Sequence, residues 1–350
     1  MIKDDDLEEI RNALINSARP LIFFDDDPDG LSSFLQFYKL NTESKGIIYK
    51  SSGALDTQFL KKVSEYQPDN IFILDVAEVS QDFLDKVHNV YWIDHHSPLE
   101  RKNVHYFNPM ILSKGKDNRP ISYWAWKITQ KSNWLALVGC VGDWFIPEDI
   151  RNEFKKESEN NFNYTDLFPD EITKPEDALF KTKIGKLARI FSFVLKGTTK
   201  EAMSCVKTLT RINDPYEILD QKTSQGKYIY KKYEKINKIY QEIKNSIKPI
   251  DNNLLLYIYS DEKMALTSDL SNEILYENPD KFIIIGRERN GDIKCSLRSA
   301  KYEVLPILEK SLKGINGFGG GHLHACGANI KKNDFEKFIE NIKYYLSKLY

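Results

Sequence analysis

The first half of the chain alternates short apolar runs with longer stretches of helical spacing. Nearly continuous apolar runs are typical of parallel strands that are buried on both faces. Such runs predict strands at residues 21–24, 46–49, 70–75 and 89–94. Helices are predicted between them at 30–40, 57–66 and 80–87. This alternation favours an open, doubly wound parallel sheet, a fold that binds ligands beyond the carboxyl ends of its strands.

The middle of the chain predicts helices. Two of them are expected over residues 120–144, the first opening at Pro120. Residues 151–170 are polar and rich in Asn and Glu, which indicates a surface insertion. Residues 175–248 are mostly of helical pattern and include a long Lys/Tyr-rich helix over 217–247.

From Asn253 onward the pattern predicts a second, smaller α/β domain. Strands bounded by turn signals are expected at 254–260, 281–288 and 292–299. Helices follow at 303–313 and 333–349, with a glycine-rich loop between them. The predicted fold class is therefore α/β, with an N-terminal doubly wound parallel sheet, a helical connector and a smaller C-terminal α/β domain. The predicted limits of these three parts are 1–150, 151–249 and 250–350.

Composition restricts the class of protein. A length of 350 residues suits two domains, and 41% hydrophobic residues are enough for globular packing. No apolar run is long enough to span a membrane, so we expect no membrane partner. The N-terminal MIKDDDLEEI has no apolar core of a signal peptide, and the four cysteines form no CxxC. These features favour a cytoplasmic protein with reduced thiols.

Charge is distributed unevenly although the net charge is only −1. Residues 1–150 hold 16 basic and 23 acidic side chains, which gives −7, whereas residues 181–248 hold 16 basic and 6 acidic side chains, which gives +10. An acidic domain that could hold cations is thus followed by a basic stretch that could hold phosphates. The simpler alternative is that these lysines form only the solvated faces of helices.

Carboxylates and histidines follow the ends of four successive elements. They are Asp25, Asp26, Asp27 and Asp29 after the first strand, Asp75 after the third, Asp94, His95 and His96 after the fourth, and Asp143 after an apolar helix. Adjacent parallel strands would bring these groups to one edge of the sheet, where the carboxylates repel one another unless cations neutralise them. Mixed Asp and His ligation suits Mn²⁺ better than Ca²⁺, and two such ions could activate water and hold a phosphate.

Each of these pieces also has a structural interpretation. Asp29-Gly30 could be a strand-to-helix connection with Asp as the helix cap, and Asp94-His95-His96 could be a hydrogen-bonded core group. The order of the pieces and their position at strand ends favour the metal site.

These residues carry a resemblance to a known family. FFDDDPDGLSS, ILDVAEVS, WIDHHSP and VGCVGDW resemble, in order, the four motifs of the DHH phosphoesterase superfamily. GFGGGHLHACGA resembles the glycine-rich motif of the DHH-associated C-terminal domain, and SLRS resembles the substrate-binding strand of that domain. The arrangement is most similar to the archaeal RecJ-like and nano-RNase branch. The insertion at 151–245 is the part that the resemblance covers least.

The resemblance implies roles for individual residues. Asp27, Asp29, Asp75, His95 and Asp143 would be metal ligands, with Asp75 and Asp143 shared between ions. Asp94 would orient the histidines through hydrogen bonds, and His96 would either support the metal ligands from behind or face the substrate. Asp94, His95 and His96 are the catalytic residues that the resemblance implies. Phe23 stands where many family members have a ligating histidine, and Asp25 is the candidate replacement ligand.

The C-terminal motifs imply substrate-binding residues. Arg298 would grip a phosphate, and Ser299 would add a hydrogen bond. Backbone N–H groups of the loop with Gly319, Gly320 and Gly321 would bind a phosphate. His322, a catalytic and substrate-binding candidate, would contact the scissile group or the terminal nucleotide. The alternative is that the glycine run is a flexible linker.

Aromatic and basic residues could extend the substrate-binding surface. Trp144 follows a candidate ligand and is the best placed of four aromatics for stacking on a base, although Tyr123, Trp124 and Trp126 at helical spacing are more typical of a core. The basic residues that could follow a nucleic-acid backbone are Lys181, Lys183, Lys186, Arg189, Lys231, Lys232 and Lys235.

Together these features predict a Mn²⁺-dependent phosphodiesterase with two ions, Mg²⁺ being the alternative metal. Its expected substrates are single-stranded DNA or RNA or short oligonucleotides, cut as by an exonuclease. Two other functions stay open. One is hydrolysis of a cyclic dinucleotide or a nucleoside bisphosphate, and the other is a non-catalytic scaffold that binds replication or repair proteins.

Overall fold

The computed structural model describes residues 1–50, 53–160, 166–247, 253–260 and 264–348. The chain forms two compact units, Met1–Tyr233 and Glu234–Tyr350. The division between them falls inside a helix, whereas the boundary expected at 249 lies outside the described residues. Within the described residues, no helix is both long enough and apolar enough to cross a bilayer.

The first unit is built on a sheet of five parallel strands in the order β2-β1-β3-β4-β5. These are β1 Leu21–Asp25, β2 Lys45–Tyr49, β3 Ile71–Leu74, β4 Val90–Ile93 and β5 His105–Phe107. The strand order reverses between β1 and β3, and such a switch point is where open α/β sheets bind ligands. The sequence pattern does not predict strand β5, because this strand has only three residues and begins with an exposed histidine.

Helices of this unit connect and cover the strands. They are α1 Asp4–Ile15, α2 Pro28–Leu40, α3 Leu60–Tyr66, α4 Gln81–Leu84, α5 Pro109–Ser113, α6 Ile121–Thr129, α7 Asn133–Gly142, α8 Glu148–Asn160, α9 Pro175–Lys181, α10 Lys183–Val194, α11 Thr199–Leu209, α12 Pro215–Leu219 and α13 Ser224–Ser246, the last of which continues into the second unit.

Both faces of the parallel sheet are buried, as the continuous apolar runs predict. Phe23 on one face of β1 packs edge-on against Phe59 and Phe83. On the opposite face, Phe24 stacks on Phe34 of α2 with ring centres 4.6 Å apart. Since successive side chains of a strand point to opposite faces, a run such as LIFF needs apolar cover on both sides.

Two helical predictions differ from the structure. The polar stretch from residue 151 is not wholly a surface insertion, because α8 buries Arg151 and Phe154, while residues 161–165 lie outside the described chain. The helix expected over 217–247 is two helices. Asp214 caps the short α12, the chain turns at Gln221 with a φ of 53°, and Thr223 caps the start of α13.

The second unit contains a mixed five-stranded sheet in the order β6-β7-β8-β10-β9, in which only β6 and β7 are parallel. Its elements are β6 Leu254–Ser260, α14 Thr267–Glu277, β7 Phe282–Arg289, β8 Asp292–Arg298, α15 Val304–Ser311, β9 Gly317–His322, β10 Ala325–Lys331 and α16 Phe335–Ser347. A parallel N-terminal sheet and a smaller C-terminal sheet domain confirm the predicted fold class.

The glycine-rich segment is a strand and not the predicted loop. Strand β9 pairs with β10 along its whole length and forms an edge of the sheet. The sequence pattern does not reveal this strand, because glycines have low strand propensity and the exposed segment has no apolar alternation. Gly321 has a φ of 146°, and a Cβ there would lie 2.5 Å from the carbonyl oxygen of Ala325, so the strand needs glycine at this position.

Candidate metal centre

Acidic and imidazole groups converge at the carboxyl ends of β1, β3 and β4. Asp25 is the last residue of β1, Asp75 directly follows β3, and His95 lies two residues beyond β4. Because these parallel strands are neighbours, the three residues lie at the same edge of the sheet. Candidate ligand atoms lie within 4.8 Å of one another in three groups, which are Asp25, Asp27 and Asp75, then Asp29, His95 and Asp143, then Asp75, His95 and His96. Every metal ligand proposed from the sequence therefore belongs to one cluster, hereafter the carboxylate cluster.

The start of α2 positions two of these carboxylates. Asp27 caps the helix and accepts a hydrogen bond from the backbone N–H of Gly30 at 2.9 Å. The helix starts close against β1, since a Cβ on Gly30 would be only 2.7 Å from the carbonyl oxygen of Asp25. Asp29 accepts hydrogen bonds at 2.7 Å from the backbone N–H groups of Ile121 and Ser122, at the start of α6. Two helix starts thus fix these carboxylates before any ligand binds.

Asp75 is the most constrained member of the carboxylate cluster. Its side chain is 2% exposed, and its backbone has a φ of 60°, in the left-handed region that costs a non-glycine residue free energy. Its Oδ1 accepts no hydrogen bond from the described residues. Burial, followed by the negative charges of Asp29 and Asp27, raises the pKa of Asp75 well above its usual value. A buried carboxylate oxygen without a donor indicates that a cation belongs there.

His95 presents one imidazole nitrogen to the carboxylates. Its Nδ1 lies 2.9 Å from the carbonyl oxygen of Asn118, to which it must donate its proton because that oxygen can only accept. Its Nε2 lies 3.2 Å from Asp75 Oδ1 and 3.7 Å from Asp143 Oδ2. A lone pair facing two carboxylates is repulsive unless a proton or a metal cation lies between them, and this tautomer is the one that metal-bound histidines adopt.

Asp94 orients only one of the two histidines, contrary to the expectation that it orients both. Its fully buried carboxylate accepts hydrogen bonds from His96 Nδ1 at 2.8 Å and from the His96 backbone N–H at 3.1 Å. The buried Asn108 also approaches Asp94 Oδ2, at 3.4 Å. Sequence reasoning missed Asn118 and Asn108, since neither falls in a recognisable motif.

The negative charges of this edge oppose one another in the metal-free protein. Burial, and then the charges of Asp27 and Asp26, raise the pKa of Asp25 to about 8. Burial, and then the charge of Asp29, raise the pKa of Asp143 to about 7. Asp26 belongs to none of the three groups of candidate ligands, and its Oδ2 lies 3.7 Å from Lys50 Nζ.

The residues present fit a divalent cation. The donor set combines carboxylates with imidazole and contains no thiolate, which favours ions such as Mn²⁺ or Mg²⁺ over a structural zinc. Phe23 is fully buried in the core and cannot ligate, while Asp25 lies in the group with Asp27 and Asp75. This position of Asp25 supports its proposed role as the replacement ligand.

Asp94→Asn is expected to lower the pKa of His96. Burial alone lowers that pKa, but the hydrogen bond and charge of Asp94 outweigh burial and raise it to about 9. An asparagine removes the charge, so the pKa of His96 should fall toward about 6.5, the ordinary value for histidine. An NMR titration of the imidazole protons in EDTA measures the change, with the distant His88 as internal reference. An unchanged pKa of His96 would show that Asp94 does not hold its proton.

Arg298 ends β8 as a firmly held cation. Its Nε donates to Asn272 Oδ1 at 3.0 Å, and its Nη1 donates to the carbonyl oxygens of Leu297 at 2.9 Å and Cys326 at 3.1 Å. Among the described residues, no carboxylate pairs with this guanidinium. A positioned arginine without a counter-ion is a candidate for binding phosphate.

Ser299 does not fit its predicted role in direct substrate binding. The residue is fully buried, and its hydroxyl donates to the carbonyl oxygen of Lys281 at 3.1 Å and accepts from the backbone N–H groups of Lys301 and Tyr302. His324 braces the same turn, with Nδ1 at 3.1 Å from the carbonyl oxygen of Ser299. Ser299 therefore supports the backbone that follows Arg298.

The remaining predicted substrate residues lie on the exposed edge strand β9. Gly319, Gly320 and His322 are all exposed. A Cβ at Gly320 would meet no atom within 4 Å, so this position leaves open space above the backbone. The strand is accessible to a ligand, and binding by its N–H groups and by His322 remains a prediction.

Aromatic residues near the carboxylate cluster divide as the helical spacing indicates. Tyr123, Trp124 and Trp126 of α6 are buried, whereas Trp144 is 37% exposed and contacts Phe180 edge-on with ring centres 6.0 Å apart.

In the basic stretch, Lys183 pairs with Asp166, so part of the positive charge of this stretch is already neutralised within the unit.

Comparisons with known proteins agree with this architecture. Residues 251–348 match the family model of the DHHA1 domain. No curated protein sequence matches the chain. Among solved structures, the chain is similar to RecJ from Thermus thermophilus in complex with Mn²⁺, with a TM-score of 0.69 and 15% identity over 99% of this chain and 55% of that chain. The chain thus spans about half the length of that protein.

Two further structures are similar along most of their own length. An exonuclease RecJ bound to manganese has a TM-score of 0.63 and 15% identity, over 99% of this chain and 95% of that chain. The pGpG-specific phosphodiesterase PggH from Vibrio cholerae has a TM-score of 0.52 and 15% identity, over 94% of this chain and 99% of that chain. At such identities the likeness establishes the fold alone. Residues 251–348 thus match the DHHA1 domain, and the chain as a whole shares the fold of the RecJ structures.

Proposed function

We propose that the protein is a Mn²⁺-dependent phosphodiesterase that shortens single-stranded DNA or RNA from an end. The observation that carries this proposal is the carboxylate cluster around Asp75, in which a buried oxygen without a hydrogen-bond donor lies 3.2 Å from a histidine nitrogen. Solved RecJ structures of this fold contain Mn²⁺ or Mg²⁺, which supports the choice of metal.

The residues of the site have distinct proposed roles. Asp75 and Asp143 would be shared metal ligands, Asp25, Asp27 and Asp29 would complete the carboxylate set, and His95 would ligate through Nε2. When bound, divalent cations would lower the pKa of an attacking water and neutralise the charge of the phosphate diester. No serine or cysteine nucleophile is needed for this chemistry.

His96 and Asp94 would act on the substrate as a pair. Asp94 holds the proton on Nδ1, so that the imidazole keeps a fixed orientation beside Asp75 and His95. An imidazolium in this place can donate a hydrogen bond to a phosphate oxygen, where negative charge increases during attack. In the second unit, Arg298 would bind a phosphate, and His322 would contact the substrate on the exposed strand β9.

Digestion of end-labelled oligonucleotides tests the proposal. Single-stranded RNA and DNA, from dinucleotides to thirty-nucleotide oligomers, would be incubated with Mn²⁺, with Mg²⁺ or with EDTA. Stepwise shortening that requires the metal, and that is lost in a variant combining Asp75→Asn with His95→Gln, is the expected result. The labelled end then reveals the polarity of cleavage.

Two other outcomes would overturn the exonuclease proposal. Cleavage confined to dinucleotides would favour a short-oligonucleotide phosphodiesterase, a candidate that the fold shared with a pGpG-specific enzyme supports. No cleavage of any length, with cyclic dinucleotides and nucleoside bisphosphates equally resistant, would favour a scaffold that binds replication or repair proteins. Only the position of Phe23 departs from the motifs, and all the carboxylates of the motifs are present. Their presence argues against a non-catalytic scaffold.

Arg298→Lys is expected to raise the KM for oligonucleotides about tenfold, with a smaller change in kcat. Lysine keeps the charge but loses the planar group that Asn272 and the carbonyl oxygens hold in place, and a good charged hydrogen bond is worth about 1.5–3 kcal/mol. Steady-state kinetics on a labelled trinucleotide measures the effect. Arg289→Lys, at an exposed position of the same sheet, is the matched control. Equal KM values for the two variants would show that Arg298 does not contribute to substrate binding.

A further inference from the structure

A second pocket lies in the first unit, away from the carboxylate cluster. It has a volume of about 600 Å³, within the range of about 300–1,000 Å³ that is usual for small-molecule sites. It is lined by the C-terminal half of α2, the start of β2 and one face of α11. The carboxylate cluster lies at the carboxyl ends of the strands, whereas this pocket adjoins the amino end of β2. The two sites therefore lie at opposite ends of the parallel strands.

Helix α2 shows how far apart the two places are. Asp29 in its first turn belongs to the carboxylate cluster, and Tyr38 near its end lines the pocket. Nine residues separate them, which at about 1.5 Å per residue is roughly 13 Å along the helix axis. A ligand in the pocket would therefore not touch the metal ligands.

The walls of the pocket carry positive charge without negative charge. Lys45, Lys200 and Lys207 line it, and no Asp or Glu is among its lining residues. All three lysines are exposed. The Lys45 ammonium lies 4.7 Å from the ring centre of Tyr66, whereas among the described residues no carboxylate pairs with Lys200 or Lys207. Lys200 and Lys207 come from the same face of α11, seven residues apart, so both reach the pocket from one side. Such unpaired ammonium groups around a concave site favour an anion, and lysine is a common ligand of phosphate.

The floor of the pocket is apolar and contains a hydroxyl without a partner. Phe34, Met203 and Val206 supply apolar surface. Ser44 is 7% exposed, lines the pocket, and its Oγ has no hydrogen-bond partner among the described residues. A buried hydroxyl without a partner is unfavourable, and a bound molecule that reached it from the pocket would supply the missing partner.

We propose that this pocket binds a mononucleotide. The phosphate would lie against Lys200 and Lys207 of α11, the base would cover the apolar floor at Phe34 and Met203, and a polar group of the ligand would bond to Ser44. A mononucleotide combines one anionic group with one planar ring, which is the combination that these walls and this floor would recognise. The site is separate from the proposed catalytic function and does not depend on it.

Calorimetric titration of the full-length protein with AMP tests the proposal, with EDTA present so that no metal is bound at the carboxylate cluster. Adenosine and inorganic phosphate are titrated in parallel. AMP is expected to bind at least about tenfold more tightly than either, because only AMP offers both the ring and the phosphate. Asp75→Asn should bind AMP as the unaltered protein does.

Two variants link binding to the pocket. Lys200→Gln combined with Lys207→Gln should weaken AMP binding about tenfold or more, since two charge-assisted hydrogen bonds are lost. Lys61→Gln combined with Lys86→Gln, at exposed positions elsewhere in this unit, is the matched control. Ser44→Ala should weaken binding by about threefold and leave thermal stability unchanged, because its hydroxyl has no partner in the protein.

The following results would overturn the proposal. AMP that does not bind in EDTA, or that binds equally to the paired lysine variant and to its control, would exclude this pocket as the site. Inorganic phosphate that binds as tightly as AMP would exclude a role for the apolar floor. Unchanged binding by Ser44→Ala would exclude the proposed bond between the mononucleotide and Ser44.

Discussion

Asp75→Asn should abolish catalysis while making the metal-free protein more stable. The activity is expected to fall a hundredfold or more, because the variant loses the proposed metal ligand at the centre of the carboxylate cluster. Stability should change in the opposite direction. In the metal-free protein, Asp75 is a buried carboxylate that meets the charges of Asp29 and Asp27 and has no donor for its Oδ1.

Asparagine is the right replacement at this position because of the backbone. Asp75 has a φ of 60°, and asparagine tolerates the left-handed region better than most residues. The variant therefore keeps the shape of the side chain and the backbone conformation, and removes only the charge. Alanine would add backbone strain and confuse the two effects.

The sign of the stability change depends on pH. The pKa of Asp75 is raised in the folded state, so the folded protein binds its proton more tightly than the unfolded chain, and the carboxylate costs stability once pH exceeds the unfolded pKa of about 4. In EDTA at pH 8, the free energy of unfolding of Asp75→Asn should exceed that of the unaltered protein by about 1–3 kcal/mol. At pH 4 the two values should differ little.

Urea unfolding in EDTA at the two pH values measures the difference. Asp82→Asn, on the exposed first turn of α4, is the control for loss of a carboxylate and should change stability little. A variant at Asp75 that is less stable than the unaltered protein at pH 8 would show that the carboxylate has a favourable partner without metal. Full activity in the variant would exclude Asp75 as a ligand.

The sequence predicts the parallel sheet and the carboxylate cluster well for a physical reason. A strand buried on both faces must be apolar throughout, so its end is marked by the first charged residue, as at Asp25 and Asp75. Parallel neighbours then bring such ends together. The short β5 and the glycine strand β9 have neither an apolar run nor an alternation, and only pairing with β4 and β10 makes them strands.

Hydrogen-bond partners from outside the motifs could not be predicted from the sequence. The proton of His95 is fixed by the backbone carbonyl of Asn118, a contact that any residue type could make. The burial of Ser299 depends on the turn that His324 and Tyr302 complete, and the SLRS motif does not encode that turn. A motif identifies which side chains meet but does not specify which backbone groups hold them.

Mn²⁺ should stabilise the protein strongly at pH 8 and hardly at all at pH 5, and its binding should release protons. In the metal-free folded protein the pKa of Asp143 is raised to about 7 and that of Asp25 to about 8, while the pKa of Asp75 is also raised well above its usual value. At pH 5 these carboxyl groups hold protons that a cation must displace. At pH 8 most of that proton competition is gone.

The same pKa values determine how stability changes with pH in the absence of metal. Acids with raised pKa values in the folded state destabilise it progressively as pH rises from about 4, where they titrate in the unfolded chain, to about 8. The melting temperature in EDTA should therefore decrease over this interval. A cation replaces the protons, so saturating Mn²⁺ should reverse the decrease. At a thousand times Kd the added stability is about 4 kcal/mol.

Thermal unfolding from pH 5 to pH 8, with Mn²⁺ or with EDTA, measures the expected divergence. Calorimetry in two buffers of different ionisation enthalpy counts the protons released, and we expect at least about one per ion near pH 6.5. Asp75→Asn is the internal control, because it should show a smaller metal effect and a flatter pH profile in EDTA. Stabilisation by Mn²⁺ that is equal at pH 5 and pH 8 would mean that the ion binds elsewhere, since metal and protons must compete at a site whose carboxyl groups hold protons at pH 5.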